Sequence, residues 1–141
     1  MKAHVTDSGV FVVLERGDEV MASLARLVEE RGWRACTFAG IGALRDPEVG
    51  FFDLATKAYA RRTFGEVELL SLTGNGTRLE DGGVVVHLHA VLGTDGCEVV
   101  GGHLFSGMVS VTAEVHAIAL NAVLIRRRDP VSGLNLLTVP D

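Results

Sequence analysis

Cysteine and long apolar runs are scarce in this chain of 141 residues. Its two cysteines, Cys36 and Cys97, are too few and too far apart for a disulfide framework, so we expect free thiols in a reducing compartment. The longest apolar run, residues 117–125, is much shorter than the roughly 20 residues that cross a bilayer. The first residues contain no apolar signal segment. We therefore expect a cytoplasmic protein without a membrane partner.

Positive charge is also in short supply. The chain has 13 Lys and Arg against 18 Asp and Glu, a net charge of −5, which argues against a general binder of nucleic-acid backbones. A hydrophobic content of 48% excludes a disordered chain. The length is typical of one domain. We expect a single domain over residues 1–141, with its core at about residues 10–125 and a C-terminal tail at 126–141.

One helix is predicted near the N-terminus. Residues 10–14 form an apolar run that predicts a buried strand, and Gly17 ends it. Asp18 is the predicted N-cap of a helix that runs to about Arg31, because apolar residues recur at helical spacing between them. Gly32 follows as a stop signal.

After this helix the hydrophobic pattern changes to the period of two that strands show. The predicted elements are a strand at 34–39 ended by a turn at Gly40-Ile41-Gly42, a hairpin of 48–54 and 59–64, a strand at 67–72 followed by a loop or hairpin at 73–83, a hairpin of 84–92 and 97–100, and a long β-rich run at 108–125. The run Arg126-Arg127-Arg128 is expected to leave the sheet as a solvated edge, with Leu134, Leu136 and Leu137 docking back. The predicted fold class is α+β: a mainly antiparallel sheet, or a barrel-like core, with one principal helix.

Three histidines are predicted to converge. His87 and His89 are two residues apart on a strand, so their rings point to the same face. Folding the next strand back about a centre near residue 95 places His103 opposite residue 87. Neutral imidazole is a favoured ligand of zinc, and catalytic zinc sites commonly have three protein ligands and an open position. We therefore predict a divalent-metal site, with ordinary sheet histidines as the alternative.

Glu114 and His116 form a second pair on one strand face. If this strand lies beside the histidine hairpin, Glu114 is the candidate general acid or base. His116 would then be a candidate fourth ligand, and four protein ligands would indicate a closed structural site. The alternative is that both side chains lie on the solvated face of the sheet.

Arg45 follows the predicted Gly40-Ile41-Gly42 turn and is a candidate for neutralising an anionic substrate. The default interpretation of such an arginine is a solvated surface side chain. The glycine pair resembles part of a phosphate-binding loop, but the full glycine spacing and the lysine are missing, so we interpret it as a tight turn.

Six short motifs, in order, make the sequence resemble the plants-and-prokaryotes conserved domain family (PPC or PCC), in its prokaryotic single-domain type. They are Arg16-Gly17-Asp18-Glu19, Gly40-Ile41-Gly42-Ala43-Leu44, Val67-Glu68-Leu69-Leu70-Ser71-Leu72-Thr73-Gly74, His87-Leu88-His89-Ala90, Gly101-Gly102-His103-Leu104 and Thr112-Ala113-Glu114-Val115. The resemblance covers about residues 10–120. It implies an α+β fold similar to that of acetolactate decarboxylase, assembly as a homotrimer, and a zinc site at His87, His89 and His103.

Two functions follow as hypotheses. The first is a trimeric metalloprotein that binds or transforms a small anionic metabolite; if it is an enzyme, we expect a zinc-dependent lyase or hydrolase. The second is a DNA-binding or regulatory scaffold, as in plant relatives that carry AT-hook motifs. This chain has no such hook and a negative net charge, so nucleic acid is an unexpected partner.

Overall fold

The structure is a computed structural model and describes residues 1–139. Within them it has one helix and nine strands. The elements are β1 (Lys2–Thr6), β2 (Gly9–Glu15), α1 (Val20–Glu30), β3 (Cys36–Asp53), β4 (Ala58–Thr63), β5 (Glu66–Leu79), β6 (Val84–Gly93), β7 (Val99–Ala119), β8 (Ile125–Arg128) and β9 (Asn135–Thr138). Apart from the parallel pair β5–β8, the named strand pairs are antiparallel, so the predicted α+β class is confirmed. The last two residues of the predicted tail, 140–141, lie outside the described residues.

Four long strands close on one another at the centre of the sheet. Strand β3 pairs with β5 and with β7, and β6 pairs with the same two strands. The four strands therefore close into a ring in the order β3, β7, β6, β5 and back to β3. Each of them pairs with two neighbours in this ring. The ring surrounds a leucine- and valine-rich core, in which Leu72, Leu88 and Leu104 are fully buried.

Helix α1 covers part of this core. Val20, Leu24, Leu27 and Val28 form its buried face, as the helical spacing predicted, and it packs mainly on β6 and β7. The helix ends at Glu30, and Gly32 follows in the left-handed conformation with φ of 61°. No helix in residues 1–139 has the length and apolar character that crossing a membrane requires.

The prediction of Asp18 as the N-cap is wrong by one residue. Glu19 is the cap, because its backbone is extended and its Oε2 accepts a hydrogen bond from the Ala22 N–H at 2.6 Å. The carboxylate of Asp18 is engaged elsewhere: it accepts from the Glu15 N–H at 2.8 Å and pairs with the N-terminal amine of Met1 at 2.6 Å. Asp18 therefore closes the turn before the helix.

Two glycine-rich segments were predicted as a turn and as a loop or hairpin, and both contain more strand than expected. The hairpin alternative for residues 73–83 is confirmed, because β5 and β6 pair antiparallel on either side of residues 80–83. Strand β3 continues through Gly40-Ile41-Gly42 with only a register shift, and β5 continues from Leu72 to Leu79. The reason is packing: a Cβ on Gly42 would lie 2.6 Å from the Cα of Ala113 on β7. Here glycine permits close approach of two strands rather than a reversal of the chain.

The C-terminal half of the sheet differs from the prediction in its limits. Residues 97–100 were predicted as a strand and 108–125 as a separate β-rich run, whereas β7 is continuous from Val99 to Ala119 and the chain leaves it before residue 125. The hairpin at residues 48–64 is confirmed as β3–β4, with Glu48 opposite Thr63 and Asp53 opposite Ala58.

Candidate metal centre

The β6–β7 hairpin brings His87, His89 and His103 to one place. His89 lies directly opposite His103, and His87 lies one position further along the same face of β6. The predicted pairing of His103 with residue 87 is therefore wrong by two residues. The loop between β6 and β7 is centred on residue 96 and is held by hydrogen bonds from the Thr94 N–H to Glu98 O and from the Cys97 N–H to Thr94 O. A shift of two residues keeps a side chain on the same face, so the predicted convergence is preserved.

The three imidazole rings form a compact group. The ring centres of His87 and His103 are 5.0 Å apart, those of His87 and His89 are 5.2 Å apart, and those of His89 and His103 are 5.7 Å apart. One nitrogen from each ring can be chosen so that all three lie within 4.8 Å of one another. His87 and His103 are half-buried, and His89 is exposed. Three nitrogen donors at such spacing can share one ion after small adjustments.

Aromatic side chains enclose His103. Its ring centre is 5.1 Å from that of Tyr59 and 4.6 Å from that of Phe105. The Nδ1 atom of His103 is buried and has no hydrogen-bond partner among the described residues. The pKa of His103 is lowered to about 4, mainly by burial and further by the neighbouring imidazoles and two guanidinium groups. The ring is therefore neutral at physiological pH and can donate a lone pair.

Arg126 completes the surroundings of His87. Its side chain is buried with 7% exposure, and its Nη2 donates to Nδ1 of His87 at 3.2 Å. The guanidinium also donates to Asn75 Oδ1 at 2.8 Å, to Thr77 Oγ1 at 3.0 Å and to the carbonyl of Asn135 at 3.0 Å. Burial first, and then Arg126 and His89, lower the pKa of His87. This ring is also held as a neutral imidazole.

The prediction that Arg126, Arg127 and Arg128 leave the sheet as a solvated edge is wrong. Strand β8 joins β5 in parallel, with Arg126 opposite Leu79, and β9 pairs back onto β8. Arg127 and Arg128 are exposed, as predicted, but Arg126 is buried beside the histidines. Three consecutive arginines show no alternation of polarity, so the sequence contained no signal for which of them points inward.

Arg61 is a second cation near the site. Its Cζ lies 3.7 Å from the ring centre of Phe105, which contacts His103. Its Nη1 is 3.3 Å from a carboxylate oxygen of Glu48, and about half of the Arg61 side chain is exposed. Sequence analysis also missed Arg61. The β3–β4 hairpin places Arg61 opposite Gly50, but only the pairing of β3 with β7, which has no local signal, places Gly50 opposite His103.

The structure does not gather Glu114, Arg45 and His116 with the three histidines. Glu114 lies opposite Ile41 and Val13 and lines a separate cavity of about 400 Å³, which no histidine lines. Arg45 is exposed and pairs in register with Glu66 and Met108. His116 lies opposite Phe11, and their ring centres are 6.3 Å apart. Among residues 1–139, none of the three belongs to the group of converging ligand atoms.

A closed ring of antiparallel strands, one covering helix and a three-histidine group define an α+β chain with a candidate metal centre. The chain belongs to the Plants and Prokaryotes Conserved (PCC) domain family, whose model matches residues 1–121. This confirms the resemblance inferred from the sequence. Among curated proteins, none matches this sequence.

Solved structures are similar over nearly the whole chain. A proposed DNA-binding protein from Ralstonia eutropha is 28% identical with a TM-score of 0.92, covering 99% of this chain and 96% of that one. A metal-containing protein from Archaeoglobus fulgidus is 31% identical with a TM-score of 0.82, covering 98% and 99%. Acetolactate decarboxylase from Bacillus subtilis is 12% identical with a TM-score of 0.60, covering 84% of this chain and 56% of the enzyme. At that identity the likeness shows the fold alone, and it confirms the predicted architecture.

Proposed function

We propose that this chain binds a divalent metal ion, with zinc as the first candidate, through His87, His89 and His103, and that it binds or transforms a small anionic metabolite there. The observation that carries the proposal is the convergence of three imidazole nitrogens within 4.8 Å. The likeness to a metal-containing protein at 31% identity supports it.

The residues present fit a metal ion. The Nδ1 atom of His103 is a buried polar atom without a hydrogen-bond partner among residues 1–139. Burying such an atom costs free energy unless a ligand binds it. The rings of His87 and His103 are neutral, the protonation state that a metal ligand needs. Imidazole donors suit zinc and related transition metals. When bound, such a metal polarises a carbonyl oxygen or lowers the pKa of a bound water.

We expect the site to bind an anion in addition to the metal. His89 is exposed, so solutes can reach the site, and the guanidinium groups of Arg61 and Arg126 lie nearby. Arg61 has a single weak carboxylate partner in the described part of the chain, so most of its N–H groups can bind an anion. Arg126 contributes positive charge in a buried position. The roles predicted for Glu114, as the residue that moves a proton, and for Arg45, as an anion clamp, stay predictions. Within residues 1–139, Glu114 is not among the converging ligand atoms, and Arg45 is exposed and lies opposite Glu66 and Met108.

Metal content tests this proposal directly. Mass spectrometry of tag-free protein should find about one zinc-like ion per chain in the wild type and none in the double variant His87→Ala/His89→Ala, which loses two of the three donors. The variant His4→Ala, which removes an exposed histidine on β1, is the matched control and should retain the ion. Wild-type protein without metal, even after zinc is supplied, would overturn the proposal.

We also propose that the chain assembles as a homotrimer, as the family resemblance implies. Several large apolar side chains of the sheet and its turns are well exposed in the single chain, which supports burial by neighbouring subunits. They include Phe51, Leu54, Val99, Val111 and Ile41. Sedimentation of a stable monomer at micromolar concentration would contradict the trimer.

A cytoplasmic location is part of the same proposal. Cys36 is buried and Cys97 is exposed, and both are free thiols. Burial raises the pKa of Cys36 to about 11, which keeps this thiol protonated and unreactive. An exposed free thiol at Cys97 is compatible with a reducing compartment.

The competing proposal is a DNA-associated scaffold, supported by the likeness to a proposed DNA-binding protein at 28% identity. The net charge of −5 argues against it. This proposal would take the lead if the wild-type protein held no metal. The affinity for duplex DNA at low and at higher salt would then be measured, because binding through contacts to phosphates weakens as the salt concentration rises.

A further inference from the structure

The guanidinium of Arg126 is a fixed cation beside the candidate metal centre. Its contacts with Asn75, Thr77 and the Asn135 carbonyl commit three N–H groups to other parts of the chain. A fourth N–H, on Nη2, points at Nδ1 of His87. Because the first three contacts do not involve the histidines, Arg126 stays in place if its bond to His87 is broken.

The bond from Arg126 to His87 and metal coordination by His87 compete for one lone pair. A guanidinium can only donate hydrogen bonds, so Nδ1 of His87 is the acceptor. A neutral imidazole has one nitrogen with a lone pair and one with a proton. While Arg126 uses that lone pair, His87 has none left for a metal. Metal binding through a neutral His87 therefore releases one N–H of Arg126.

The positive charge of the site also favours the binding of an anion together with the metal. Within residues 1–139, the group of converging ligand atoms contains three imidazoles and no carboxylate. A dication there would add its charge to that of Arg126, which is 7% exposed, and to that of Arg61, whose charge Glu48 offsets only in part at 3.3 Å. Uncompensated like charges at a partly buried site are strongly unfavourable.

We propose that the metal and a small anion bind this site together, and that the N–H group released by His87 makes Arg126 the anchor of the anion. This inference rests on the proposed metal site and its anionic ligand, and it adds that Arg126 holds a carboxylate or similar oxyanion whose binding is coupled to that of the metal. By thermodynamic reciprocity, the anion must raise the affinity for the metal by the same factor as the metal raises the affinity for the anion.

Metal affinity measured with and without an anion tests this coupling. The probes are Co²⁺, followed by its visible absorption, and acetate, in a buffer without other coordinating anions. For the wild type we expect saturating acetate to lower the Co²⁺ dissociation constant by about tenfold, within the usual range of coupling between sites. For Arg126→Gln we expect tighter Co²⁺ binding without acetate, because a cation is gone, and less than about a twofold effect of acetate. Arg127→Gln is the matched control on the same strand, since Arg127 is exposed and pairs with Glu80 away from the histidines, and it should match the wild type.

The outcomes separate this inference from the metal site itself. Wild-type protein that binds Co²⁺ with an affinity independent of acetate would refute the anion coupling and leave the metal site intact. An acetate effect in Arg126→Gln equal to that of the wild type would refute the role of Arg126. In metal-free protein, nitrogen NMR should find the proton of neutral His87 on Nε2 in the wild type, as the donor contact from Arg126 requires. A proton on Nδ1 would contradict the lone-pair competition even if Arg126→Gln did not fold.

Discussion

Replacing Gly74 with alanine is expected to lower the free energy of unfolding by about 3 kcal/mol, at the upper end of what overpacking costs. Gly74 lies opposite Leu88, where β5 and β6 are in close contact. A Cβ at this position would overlap the carbonyl oxygen of His87 and lie 2.9 Å from the Cα of Leu88. Strand β6 cannot move away freely, because β7 pairs with its other edge. The two strands must separate, and His87 moves with them.

Gly65→Ala is the matched control for this substitution. A Cβ on Gly65 would meet nothing within 4 Å, so its effect should stay within about 0.5 kcal/mol. Denaturant unfolding of both variants measures the difference, and Co²⁺ titration should find weaker binding only in Gly74→Ala. Equal unfolding midpoints for the two variants would show that β5 and β6 can separate here without cost.

The sequence predicted those features that local patterns encode. Helix α1 followed from apolar spacing and a glycine stop. The shared face of His87, His89 and His103 followed from the period of two, which also made the prediction tolerant of a register error of two residues. The convergence of side chains within one hairpin can therefore be predicted from the local pattern of residues alone.

Features that depend on contacts distant in sequence could not be predicted in this way. Gly74 and Gly76 suggested a loop or hairpin from residue 73 onward, although β5 continues to Leu79 and its close packing requires glycine there: a Cβ on Gly76 would lie 2.8 Å from the Sγ of Cys36. Arg126 reaches the site only because β8 returns in parallel beside β5, a pairing without a local signal. Its contact with His87 joins residues 39 positions apart. Packing between distant segments, rather than propensity, decided these features.

The second large effect concerns pH. Metal-free protein is expected to lose about 2 kcal/mol of stability between pH 7 and pH 4.5 through His103 alone. In the unfolded chain His103 takes up a proton near its ordinary pKa of about 6.5. In the folded protein burial between Tyr59 and Phe105, with nearby positive charge, holds the pKa at about 4. Because the unfolded state binds the proton first, stability is complete above pH 6.5, falls as the pH falls toward 4, and levels off below 4.

Comparison of two glutamine variants isolates this contribution from the carboxylates that also titrate in acid. His103→Gln removes the group with the lowered pKa, so its free energy of unfolding should fall less steeply between pH 7 and pH 4.5 than that of the wild type. His4→Gln removes an exposed histidine on β1 and should keep the wild-type slope. Urea unfolding at a series of pH values, with a chelator present, measures all three proteins. Parallel curves for the wild type and His103→Gln would mean that the folded protein accepts a proton on His103 as readily as the unfolded chain does. Metal binding below about pH 6.5 would then have to displace a proton from His103, whereas a ring with a pKa near 4 is already neutral there and has its lone pair available.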